Sequence, residues 1–202
     1  MVSPALETPA PLPRSLVFHP RLSDEEFEQL SMNCELASLE RTEEGAIVVS
    51  APAGSMTSDG KGEINEQLRR WWKSHRQGKA YESSAGFFLP DGAMLTPDAS
   101  YFAGEQLQGL TRDDRSRFLH IAPAFVIELI SPSDRLSTAQ AKMEAWISNG
   151  VRLGWLVDPQ AKQIRVYEAG AQPRIEAGSK VAGSGPVDGF VLDLEEVWSC
   201  FR

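Results

Sequence analysis

The chain has 202 residues, 42% hydrophobic and 24% charged, the balance of an ordinary globular protein long enough for one domain with a real core. Its net charge of -8 argues against a generic nucleic-acid coat, which would be basic. No apolar run reaches about 18 residues and no basic segment precedes an apolar one at the N-terminus, so neither a membrane span nor a signal peptide is expected. Cys34 and Cys200 match no zinc spacing, which leaves the expectation of a reduced, cytoplasmic protein.

Residues 1–16 hold four prolines and little apolar periodicity, so they read as a flexible or extended arm ahead of a single domain at 17–202. Ser23-Asp24-Glu25-Glu26 has the form of an N-cap serine with carboxylates in the first helical turn, and predicts a short helix to about Met32. Leu36–Leu39 and Ala46–Ser50 predict two strands around the turn signal Glu43-Glu44-Gly45. Residues 51–60, rich in Gly, Ser and Pro, read as a loop.

Ile64, Leu68, Trp71 and Trp72 recur at helical spacing and predict a helix from about Gly62 to His75, ended by Gly78. Charge is uneven along the chain. Residues 1–50 carry nine acidic and three basic side chains, whereas Lys61, Arg69, Arg70, Lys73, Arg76 and Lys79 face only Glu63 and Glu66 within 61–79. Arg69, Arg70, Lys73 and Arg76 fall largely on the helix side away from its apolar face. They form either a patch for a phosphate backbone or a solvated surface.

Tyr81–Leu89 and Ala93–Leu95 predict strands joined through Pro90-Asp91-Gly92, with Asp98–Phe102 continuing the sheet. Residues 103–120 are polar and irregular, with a short helix near Thr111–Phe118. Residues 124–131 make the central strand. A helix follows over Ser137–Asn149, with Ala139, Met143, Trp146 and Ile147 inward and Gly150 as its cap. Trp155–Val157 and Gln163–Glu168 form the next hairpin. One strand is expected within 170–187, and a short helix near Leu194–Trp198. The alternation of helices and strands implies an α/β fold, a mixed sheet flanked by helices.

Glu128 is the most informative residue, because Phe125-Val126-Ile127-Glu128-Leu129-Ile130 otherwise reads as a buried strand. A carboxylate there needs a cationic partner or a metal ion. Asp98, after Pro97, is either a turn residue or a second acidic group for the same site. At about 100° per residue, Lys142 lies about 40° from Trp146 and about 60° from Ala139, at the edge of the apolar face. It either snorkels there or reaches the two carboxylates. Two carboxylates suit Mg²⁺ or Mn²⁺, with a backbone carbonyl, most plausibly that of Leu129, as a third ligand. A lysine beside the attacking water would stabilise developing negative charge. Together these residues suggest a metal-dependent phosphodiesterase. His19, His75 and His120 show no metal-ligand spacing. No phosphate-cradling glycine loop or nucleophile-elbow serine is present, and Trp71, Trp72 and Trp155 read as core.

Thr96-Pro97-Asp98, the run Phe125–Asp134, Lys142-Met143 and the run Asn149–Pro159 resemble the Uma-two family of proposed restriction endonucleases, within the PD-(D/E)XK nuclease superfamily. Gly62–Leu68 and Ser83–Pro90 share the likeness, which extends from roughly Ser23 to the C-terminus. The resemblance implies a restriction-endonuclease-like core, a DNA substrate and metal binding by Asp98 and Glu128. It matches Glu63 to an acidic residue that often completes the site, and it makes Gln140 a supporting residue. The superfamily lysine would stand two residues after Glu128, where this chain has Ile130. The resemblance implies that Lys142, from the following helix, supplies it instead. A domain that keeps the fold but only binds nucleic acid or protein is the alternative, and RNA is a second candidate substrate. Cutting two strands is simplest with two sites related by a two-fold axis, so a homodimer is expected.

Overall fold

The computed structural model describes residues 15–18, 20–35 and 37–202. The N-terminal arm falls mostly outside the described residues, as does His19. The described chain begins with β1 (Ser15–Val17), which pairs with β3 (Ala46–Ser50), so the sheet takes in residues 15 and 16 that the sequence assigned to the arm.

Helix α1 (Asp24–Met32) starts at Ser23 as expected. The Ser23 side chain accepts from the Glu26 N–H, and the Glu26 carboxylate accepts from the Ser23 N–H. β2 (Ser38–Arg41) lies two residues later than predicted, because its ladder with β3 runs up to Arg41↔Ile47 at the turn; Leu36 lies outside the described residues. This shift puts Glu40 on a strand.

Helix α2 (Ser55–His75) begins well inside the predicted loop. Gly60 is not a breaker there: a Cβ on it would lie 2.7 Å from the Phe201 ring, so the glycine lets the C-terminus pack onto the helix. The helix ends at Arg76, which adopts φ 55°, rather than at Gly78. Gly78 follows at φ 65°, where a Cβ would meet the Phe102 carbonyl oxygen at 2.1 Å.

The predicted strand Tyr81–Leu89 is two strands in two sheets. β4 (Lys79–Glu82) pairs with β7 (Ala99–Phe102), whereas β5 (Phe87–Phe88) pairs with β6 (Met94–Leu95). Single turns of 3₁₀ helix at Gly104–Leu107 and Asp114–Ser116 replace the helix expected near 111–118. β8 (Phe125–Leu129), α3 (Leu136–Ser148) and β9 (Leu153–Asp158) form a parallel crossover, and β10 (Gln163–Glu168) returns antiparallel. Two strands, not one, occupy the Gly-rich stretch: β11 (Arg174–Glu176) and β12 (Lys180–Ala182). β12 pairs with β13 (Val191–Asp193), and α4 (Leu194–Ser199) ends the fold.

The central sheet has the order β11-β10-β9-β8-β7-β4, and a second sheet the order β1-β3-β2-β6-β5. β8 and β9 are buried on both faces, as a parallel pair between helices must be. Ile64 and Leu68 of α2 pack with Phe125, Ile127, Leu129 and Trp155 on one face. Met143 and Trp146 of α3 pack with Val126 and Leu156 on the other. A third cluster, Phe27, Leu39, Ile47, Phe88 and Met94, fills the second sheet. Glu128 shares the face of Val126, so it points toward α3. No helix among the described residues is long and apolar enough to cross a membrane, and Cys34 and Cys200 are both free thiols.

Candidate active site

β7 and β8 are antiparallel with Ala99 opposite Ile127. Asp98, the residue just before β7, lies beside the end of β8, where its side chain meets the Leu129 N–H.

Asp98 is held from three sides. Its Oδ2 accepts from the Leu129 N–H at 2.7 Å, its Oδ1 lies 2.7 Å from Lys61 Nζ, and its carbonyl oxygen accepts from Asn65 Nδ2 at 2.8 Å. Lys61 and Asn65 are one turn apart on α2, so that helix grips Asp98 from one face. Helix α3 grips Glu128 from the other: Glu128 Oε1 accepts from Trp146 Nε1 at 2.8 Å and from Lys142 Nζ at 2.9 Å. Lys142 also donates to the Thr96 carbonyl at 2.9 Å and to Glu40 Oε1 at 2.8 Å. Glu40 Oε1 accepts in addition from the Thr96 N–H and hydroxyl, each at 2.8 Å.

Burial pushes the Glu128 carboxyl up to about 8, against the pull of Lys142, and the negative charges of Asp98 and Glu40 add to the rise. Burial also acts on Glu40, but Lys142 and the Thr96 donors outweigh it and hold that carboxyl below its ordinary value. Lys142 is shifted upward despite burial, because Glu128, Glu40 and Asp98 surround it, so it stays charged. Glu128 is thus a carboxylate with less positive charge around it than its burial demands. Hard oxygen donors and that deficit suit a divalent cation. Among the described residues, no three His, Cys, Asp or Glu side chains gather closely enough to hold an ion alone. An ion here would rest on two carboxylates, water and a substrate phosphate, the arrangement Mg²⁺ favours. Leu129 touches the same spot through its backbone.

The structure therefore brings Asp98, Glu128, Leu129 and Lys142 together. It does not bring in Glu63 or Gln140. Glu63 lies about 160° around α2 from Asn65. Its Oε1 accepts from Gln67, which bonds the backbone of Asp193, so Glu63 belongs to the contact with β13. Gln140 lies about 160° around α3 from Lys142, on the side turned away from the two carboxylates. The four-residue basic patch is also less uniform than expected. Arg70 is paired with Glu66 four residues earlier, and Arg69 lies 5.8 Å over the Trp72 ring. Among the described residues, Arg69, Lys73 and Arg76 have no salt-bridge partner.

Sequence reasoning missed Glu40, Lys61, Thr96 and the hydrogen bond of Trp146. A carboxylate in a half-buried strand was the available signal for Glu40. For Lys61, the signal was its place four residues before Asn65, on the same helix face.

A mixed sheet carrying an aspartate and a glutamate on adjacent strand ends, with a helix on each face, defines a restriction-endonuclease-like α/β protein. The profile of the Uma2 family, described as "Putative restriction endonuclease", matches residues 24–195, and the chain belongs to this family. Among solved structures, it is similar to a putative nuclease belonging to DUF820 from Anabaena variabilis, with a TM-score of 0.72 and 21% identity. The match covers 88% of this chain and 98% of that one, a likeness of fold. No curated protein matches the chain.

Proposed function

We propose that this protein is an Mg²⁺- or Mn²⁺-dependent endonuclease that hydrolyses DNA phosphodiesters with water as the nucleophile. The observation that carries the reading is that Asp98 and Glu128 meet at neighbouring strand ends, with Asp98 Oδ2 2.7 Å from the Leu129 N–H and Lys142 Nζ 2.9 Å from Glu128. Family membership supports it, since the family description names restriction endonucleases.

Asp98, Glu128 and the Leu129 carbonyl would hold the ion. When bound, a divalent ion polarises a phosphoryl oxygen and supplies hydroxide near neutral pH. Lys142 keeps its charge and holds it beside the place where the attacking water and the phosphorane oxygens would sit. Thr96 and Glu40 fix the direction of that ammonium. Trp146 fixes the Glu128 carboxylate while closing the α3 side to solvent. Two copies related by a two-fold axis would address both strands of a duplex; sedimentation of the protein with and without DNA tests that part.

A second reading keeps the fold without cleavage. It draws on the salt bridges themselves, since Lys61 balances Asp98, Lys142 balances Glu40, and a proton on the raised Glu128 carboxyl completes the balance with no ion needed. Calorimetric titration with Mn²⁺, run beside cleavage of duplex DNA and of RNA, separates the readings. Saturable Mn²⁺ binding with DNA cleavage supports the nuclease. Absence of both supports the binding domain, and cleavage of RNA alone would redirect the substrate.

A further inference from the structure

The two lysines of the site are held very differently. An ammonium has three N–H donors. Lys142 spends all three, on Thr96, Glu40 and Glu128. Losing the Glu128 contact would still leave it two anchors. Lys61 has one acceptor among the described residues, Asp98 Oδ1 at 2.7 Å, and its side chain is 28% exposed.

The two carboxylates differ as well. Asp98 Oδ2 is taken by the Leu129 N–H, so Oδ1 is the oxygen through which Asp98 can meet a cation, and Lys61 sits on it. Among the described residues, no hydrogen bond reaches Glu128 Oε2. A divalent ion ligated at about 2.0–2.6 Å would compete with the ammonium for Asp98 Oδ1, whereas Glu128 can offer its second oxygen without releasing Lys142.

We propose that Lys61 is the mobile cation of this site: it neutralises Asp98 until a divalent ion takes Oδ1, then turns its ammonium toward a DNA phosphate. The inference rests on the metal-dependent nuclease reading and deepens it. A long flexible stem and a strongly hydrated charge suit Lys61 to this exchange. At about 100° per residue, Arg69 and Lys73 lie about 80° and 120° around α2 from Lys61, so the released charge joins a basic flank. Metal and DNA then bind cooperatively, because each favours the state in which Lys61 has left Asp98.

The test uses the full chain and two probes: Mn²⁺ by calorimetry, and a short duplex DNA titrated in Ca²⁺ and in EDTA. Lys61→Met should bind Mn²⁺ about threefold tighter or more, since the competing ammonium is gone. It should lose most of the Ca²⁺-dependent gain in DNA affinity while keeping wild-type affinity in EDTA. Lys73→Met removes the same charge elsewhere on α2. It should weaken DNA binding by one factor in both media and leave Mn²⁺ affinity within about twofold. Lys61→Gln serves as a second neutral variant if the Met variant fails to fold. Unchanged or weaker Mn²⁺ binding by Lys61→Met, or equal loss of DNA affinity in Ca²⁺ and EDTA, overturns the role of Lys61 alone. Failure of the wild type to bind Mn²⁺ overturns the metal reading and this inference with it.

Discussion

Glu40 and Glu128 share one ammonium: Lys142 Nζ lies 2.8 Å from the first and 2.9 Å from the second, so a single charge ties the N-terminal sheet to the central one. Removing it leaves the buried Glu128 carboxylate facing the half-buried one of Glu40. Breaking a fully buried pair costs about 3–5 kcal/mol; Lys142 is part-exposed, so Lys142→Ala should cost about 2 kcal/mol or more. Urea denaturation at about pH 8.5 measures it, and a loss below about 0.5 kcal/mol would mean that solvent already screens the pair.

Glu128→Gln keeps the shape of the side chain and its bond from Trp146 but removes the charge. Cleavage in Mg²⁺ or Mn²⁺ should fall by about 10³-fold or more, with circular dichroism unchanged. Asp98→Asn should behave alike. Wild-type rates in both variants, free of contaminating nuclease, would refute the assignment.

The raised Glu128 carboxyl makes stability depend on pH. Between its ordinary value of 4.5 and about 8, the folded protein holds a proton that the unfolded chain has released. The stability this contributes is complete below the lower value and is lost as pH rises through the upper one. Denaturation in EDTA should therefore show stability falling from about pH 5 to about pH 8.5, a slope that Glu128→Gln flattens. Mg²⁺ binds the charged form, so its stabilising shift in Tm should be larger at about pH 8.5 than at about pH 6. An identical slope in wild type and variant would show that Glu128 ionises normally.

DNA should approach along the flank of α2. Neutral replacement of Arg69, Lys73 and Arg76 should weaken duplex binding regardless of sequence, and each lost phosphate contact should lower the log–log salt slope by roughly 0.9. Arg70→Ala alone should change little, because Glu66 already engages Arg70. Equal affinities and slopes for wild type and the triple variant would leave these residues as a solvated surface.

Glu128 was legible because a carboxylate inside an apolar strand violates the ordinary cost of burial. Lys142 was legible because its angle on α3 is fixed by Trp146. Glu40 was not, since it reaches Lys142 from another sheet and nothing local encodes how two sheets meet. The start of α2 is hidden because Gly60 looks like a breaker in one dimension, yet Gly60 is where Phe201 packs. The continuous run Tyr81–Leu89 hid a change of sheet, which is set by pairing partners and not by apolar content.

Glu40 and Arg41 leave β2 on opposite sides. The Arg41 guanidinium is fully buried; it bonds Asp24 and the carbonyls of Leu22 and Gly92, and lies 5.4 Å and 5.3 Å from the Phe27 and Phe88 ring centres. A strand alternates with a period of two, so a slip of one residue would exchange these neighbours. Arg41 would then face Lys142 cation to cation, and Glu40 would enter an aromatic cage built for a guanidinium. A one-residue slip of this strand would thus invert the polarity of the site, while a slip of two would keep the alternation but put Ser38 or Thr42 where Glu40 meets Lys142.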